Sequence, residues 1–113
     1  MIHRKLLIVG LLTLLANLAA ADMQTIVEAH EVRLSDFRAP ASMNGSVTFK
    51  TCATCPQQIV PVTPETRFLV NKKAVSLNDF RKALVTVTDR DSEVVIVSEH
   101  LESETIRSVS VNL

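Results

Sequence analysis

Hydrophobic and polar positions alternate in short runs through most of this chain, and runs of that period predict β-strands. In Ser46-Val47-Thr48-Phe49-Lys50-Thr51 the apolar Val47 and Phe49 fall on one face and Ser46, Thr48 and Lys50 on the other. Gln58 to Val62 reads as a second strand, at a sheet edge because Pro61 has no amide to donate. Thr66 to Val70 is a third, with Thr66, Phe68 and Val70 sharing a face. Asn71-Lys72 suits a tight hairpin turn, since Asn tolerates positive φ, and Ala74-Val75 returns from it. Val85 and Val87 begin another strand, broken by the polar turn Asp89-Arg90-Asp91-Ser92. Glu93 to Ser98 and Thr105 to Leu113 are the last two, joined through Glu99-His100-Leu101-Glu102-Ser103-Glu104.

One segment has the helical period instead. Leu77, Phe80 and Leu84 fall on one face of a helix, with Arg81 and Lys82 outside. Ser76 is placed to cap its first amides, and Asp79 lies where a carboxylate favours a helix N-terminus. The helix therefore spans about residues 76–84. Ser35 to Gly45, with Pro40 and Asn44, reads as a loop. Asp22 to Leu34 is ambiguous. Val27, Ala29 and Glu31 alternate with Glu28, His30 and Val32, so neither face of a strand is clean, and a helix through the same residues is no cleaner. A strand is favoured.

These elements predict a mainly β fold, a small antiparallel barrel or roll of five to six strands with one short helix. A helix after the third strand is the order of an oligonucleotide/oligosaccharide-binding (OB-like) barrel. A resemblance points the same way. Val62-Thr63-Pro64-Glu65-Thr66-Arg67-Phe68-Leu69-Val70-Asn71-Lys72-Lys73-Ala74-Val75-Ser76-Leu77-Asn78-Asp79-Phe80 resembles a pattern in small exported bacterial β-barrel domains of unknown function, with Lys73 where the pattern carries Gly. The resemblance implies an OB-like fold and export, and no activity.

Ahead of the β-region stands a different pattern. Arg4 and Lys5 precede the apolar run Leu6 to Ala16, and small residues follow up to Ala21-Asp22. This is the order of a secretory signal, with Ala19 and Ala21 fitting the cleavage rule and the cut falling before Asp22. The run is about half of the roughly 20 residues a spanning helix needs. Residues 1–21 are thus expected to be a signal peptide and 22–113 a single small β-domain, periplasmic or secreted, with no membrane span left after cleavage.

Removing the first 21 of 113 residues leaves 92, carrying 10 Lys and Arg against 12 Asp and Glu. The resulting net charge near −2 disfavours nucleic acid, whose ligands show a basic stripe. Lys72-Lys73 and Arg81-Lys82 read as solvated doublets. With no Trp, no Tyr and four Phe, stacking platforms are scarce.

The candidate chemistry is Cys52-Ala53-Thr54-Cys55, the only two cysteines in the chain. In an oxidising compartment the pair is expected to form a structural disulfide closing the turn after the Val47–Thr51 strand. A redox-active dithiol is the alternative, because a strand leads into the motif. Against it, Pro56 and a β-pattern follow where a thioredoxin-type site needs a helix N-terminus to lower the first thiol's pKa. A third reading is half a zinc set, with His30 and His100 as the remaining donors. Covalent haem is disfavoured, since Pro56 stands where that motif requires His. Asp89 and Asp91 lack the glycine and bidentate Glu of a calcium loop. No motif calls for a cofactor or names a reaction. The leading expectation is a binding or structural module of the cell envelope, its partner a protein or glycan. The rival is a thiol-disulfide or metal-handling protein.

Overall fold

The computed structural model describes residues 26–113, so the expected signal sequence and the expected cut before Asp22 lie outside the described residues. Within them the ambiguous N-terminal segment is a strand, β1 (Val27–Arg33). It pairs antiparallel with β7 (Val94–His100), setting His30 opposite Val97 and Val32 opposite Val95. Opposed residues share a face, so His30 and Val32 turn toward the core with Val97 and Val95, while Glu28, on the same side of the strand, is exposed. A half-buried histidine on the core side and an exposed glutamate at the start of the strand blur the alternation.

A 3-10 turn at Leu34–Asp36 carries the chain into a second sheet, with Leu34 fully buried. The Arg33 guanidinium spans the turn, donating to Asp36 Oδ2 from Nε at 3.2 Å and from Nη2 at 3.0 Å. The second sheet consists of β2 (Phe37–Arg38), β3 (Ser46–Phe49) and β4 (Gln58–Pro61), in that order. Strand β2 lies inside the segment expected to be loop. At two residues it is too short to show a period, and the buried Phe37 holds it in place. The connection from β2 to β3 folds tightly over Pro40. A Cβ on Gly45 would lie 3.2 Å from the Ser42 carbonyl oxygen and 3.3 Å from the Pro40 Cβ, so the missing side chain permits the close approach. Strand β4 is at an edge, as Pro61 required.

Strands β5 (Arg67–Val70), β6 (Lys73–Val75) and β8 (Thr105–Val111) complete the first sheet, ordered β1-β7-β8-β5-β6. The β5–β6 turn is Asn71-Lys72, with φ of 51° and 69°. The glycine-favouring conformation therefore falls on these two residues and not on Lys73. Asn71 also ties down the C-terminus: its amide donates to the Val111 carbonyl at 2.9 Å, and its Oδ1 accepts from the Leu113 amide at 2.7 Å. Strand β5 runs parallel to β8. A purely antiparallel sheet was expected. The intervening β6, helix and β7 supply the long crossover that a parallel pair needs. Between β7 and β8 the ladder steps from Ser98–Ser108 to Glu99–Ile106, leaving Arg107 as the extra residue of a bulge. That step lets Ile106 join Val109 and Val111 inside.

Helix α1 (Leu77–Val85) begins where its sequence indicates. Ser76 is the N-cap, its Oγ accepting from the Asp79 amide at 3.1 Å. Leu77, Phe80 and Leu84 are buried. The Phe80 ring meets Phe68 at 5.2 Å and Phe37 edge-on at 6.5 Å, so α1 joins both sheets through one aromatic cluster. The strand expected at Val85 and Val87 is not formed. Val85 is the last residue of α1 and is 83% exposed, and Val87 packs half-buried after the helix ends. Two valines two apart carry a strand signal only if no helix is already running. Among the described residues the mainly β class with one short helix holds, as eight strands in two sheets sharing one core, and the ladders do not close into a barrel.

Candidate functional site

Strand β3 ends at Phe49 and β4 begins at Gln58, and the cysteines sit in the connection between them. Cys52 and Cys55 form a disulfide with their Cα atoms 5.0 Å apart. Inside it the Cys55 amide donates to the Cys52 carbonyl at 3.2 Å, so the cross-link reinforces a turn that the backbone already makes. Thr51 to Thr54 are exposed and Cys55 is half-buried, which puts the staple on the surface. Thr54 Oγ1 lies 3.7 Å from the Cys52 sulfur.

The two histidines proposed beside the cysteines as metal donors lie in the other sheet. His30 is in the middle of β1, where Nε2 is buried without a hydrogen-bond partner, 3.6 Å from Glu99 Oε1. Its ring sits 5.4 Å from that of Phe49, the last residue before the cysteine-bearing connection. His100 is at the far end of β7, opposite Val27 and Thr105. Among the described residues no three His, Cys, Asp or Glu side chains are grouped as a metal site would require. None of the described helices is long and apolar enough to cross a membrane.

A second feature was not singled out in the sequence. A groove of about 500 Å³ runs between β2 and α1. Arg38 from β2, Arg81 and Lys82 from α1, and Arg90 from the following turn line it. Phe37, Leu84 and Val85 supply its apolar part. No Asp or Glu lines it, and none of the four cations is in an ion pair among the described residues. Two of them are anchored through backbone carbonyls. Arg90 Nη1 donates to the Leu84 carbonyl at 3.1 Å, helping to close the helix C-terminus, and Arg81 Nη1 donates to the Ala41 carbonyl at 3.4 Å. Arg81-Lys82 alone reads as solvated surface. What the doublet could not reveal is that β2 and the 89–92 turn bring Arg38 and Arg90 to the same groove. Chemically, the arrangement offers guanidinium and ammonium donors beside the one exposed apolar side chain of the lining, Val85.

No protein-family model, characterised protein or solved structure matches this chain.

Proposed function

We propose that this chain is an exported binding domain of the bacterial cell envelope, stapled by Cys52–Cys55, with residues 1–21 removed as a signal peptide. The observation that carries the proposal is the disulfide on the protein surface. An exposed, accessible disulfide persists in the periplasm or outside the cell and is kept reduced in the cytosol. The basic, apolar and small-residue order of the first 21 residues supports the same location. The resemblance over Val62–Phe80 to small exported OB-like domains agrees with it. The β2–α1 groove is the surface on which binding is expected.

The test is to express the full-length chain with a C-terminal tag in a bacterial host and to crosslink the envelope in intact cells. Recovery of one partner that saturates and is competed by untagged protein supports the proposal. A chain retained in the cytosol with both thiols free overturns it, as does repeated failure to recover any protein or glycan.

A second reading is favoured by the same exposure of the pair. In thiol-disulfide exchange a substrate dithiol is oxidised as Cys52–Cys55 is reduced, and the resulting dithiol is also a soft-metal donor set. The reduction potential separates the two readings. A value below about −300 mV belongs to a structural staple, and one between roughly −230 and −120 mV belongs to an exchange protein.

A further inference from the structure

We propose that the groove between β2 and α1 is a docking site for an acidic peptide segment of a partner protein, one that carries an apolar side chain among its carboxylates. The proposal rests on the binding-domain reading and names the partner chemistry for it.

Charge is the first argument. The whole chain is balanced, with 12 Lys and Arg and 12 Asp and Glu, yet four cations and no carboxylate line this groove. They come from three separate stretches of chain, so the fold assembles the cluster and local sequence does not. Asp89 and Asp91 flank Arg90 in sequence, which leaves Arg38, Arg81 and Lys82 as the main source of positive potential. Planar guanidinium forks match carboxylates in pairs, and Arg81, held to the Ala41 carbonyl through one nitrogen, keeps its other donors for a ligand.

The second argument is the apolar surface among the charges. Val85 is 83% exposed at the end of a helix whose other large apolar residues, Leu77, Phe80 and Leu84, are buried. Leu84 and Phe37 beside it in the groove lining are buried, so Val85 is the apolar surface left open there. A purely polyanionic ligand leaves this surface wet. A peptide with Leu or Phe between acidic residues covers it and meets the cations at once. A glycan is the poorer fit. Sugar faces stack on exposed aromatic rings, and this chain has no Trp or Tyr while Phe37 is only 3% exposed. Exposed ion pairs are individually weak and are screened by salt, so the affinity is modest and falls as salt rises.

The probe is a short synthetic peptide with Glu-Leu-Glu-Asp-Phe-Glu as its core, titrated into the protein as recovered from full-length expression and followed by amide chemical shifts. Shifts are expected to concentrate at Arg38, Ala39, Asn78, Arg81 to Val85 and Arg90. Arg81→Glu with Lys82→Glu weakens binding about tenfold or more, since two attractive pairs become repulsive. Lys72→Glu with Lys73→Glu makes the same charge change at the β5–β6 turn and leaves affinity within about twofold. Val85→Ser, at an exposed position, weakens binding by about threefold or more while the net charge is untouched. The wild-type shift map and Val85→Ser decide the matter even if the charge-reversed helix fails to fold.

Any one of several results overturns the proposal: equal loss in both charge-reversed variants, equal affinity for an all-Glu peptide, tighter binding to anionic phospholipid vesicles than to the peptide, or no shifts in the groove. A partner captured in the envelope that maps elsewhere removes this site and leaves the binding domain standing. A chain retained in the cytosol removes the envelope reading, and the peptide titration still decides the groove.

Discussion

Replacing both cysteines, Cys52→Ser with Cys55→Ser, tests the staple in isolation, because little else changes. The cross-link joins residues three apart. For so short a ring the chain-entropy relation gives about 6 cal/mol/K, or about 2 kcal/mol at 25 °C. No cavity term adds to this, since Cys52 is exposed and Cys55 only half-buried. The Cys55 amide to Cys52 carbonyl bond remains available to the uncrosslinked turn. For a domain of this size about 2 kcal/mol is a substantial share of the total and corresponds to a melting temperature lower by about 10 °C. The assay is urea denaturation of the oxidised protein, the reduced protein and the double variant. The last two are expected to superimpose, and amide shifts in the folded variant are expected to change only across residues 50–57. A loss above about 4 kcal/mol refutes the reasoning, because entropy alone does not supply it. A loss below about 0.5 kcal/mol refutes it from the other side, because the pair is then no staple.

Three further substitutions probe the scaffold that carries the groove. Phe80→Ala removes the ring that packs on both Phe37 and Phe68 and is expected to cost about 3–5 kcal/mol in urea denaturation. Thr66→Val is expected to cost about 1–3 kcal/mol despite its similar shape. The buried Thr66 hydroxyl donates to the Ile106 carbonyl and accepts from the Thr63 amide at 2.9 Å, and both partners would be left unsatisfied. Lys72→Gly is expected to raise the melting temperature, by up to about 1 kcal/mol of stability, because the residue already holds a φ of 69° that glycine adopts without strain.

What could be read from the sequence was local. The Ser76 cap, the Leu77–Phe80–Leu84 face, the edge position forced by Pro61 and the Asn71-Lys72 turn each follow from a few neighbouring residues. Elements fixed by distant contacts were not legible. Strand β2 exists because Phe37 packs against Phe80 and pairs with Phe49, and two residues carry no periodic signal. The parallel pairing of β5 with β8 is a matter of topology, and the bulge at Arg107 reverses the apparent face of Ile106. Val85 alternates with Val87 as strand residues do, although it is the last residue of α1. The disulfide was legible from spacing. The metal alternative was not legible, because whether His30 and His100 approach the cysteines is decided by sheet order: they lie in the sheet opposite the β3–β4 connection. The groove was hidden for the same reason, since Arg38 and Arg90 reach it from stretches whose fold no local pattern specifies.

The central claim is that this is an exported domain closed by an exposed staple. Intact-mass and N-terminal analysis of the protein recovered from fractionated cells, with thiols alkylated at lysis before any reductant, tests it most directly. The account predicts a chain in the periplasmic or extracellular fraction that begins at Asp22 and takes up no alkylating agent until it is reduced. A cytosolic chain that still begins at Met1 and is alkylated at both Cys52 and Cys55 contradicts it.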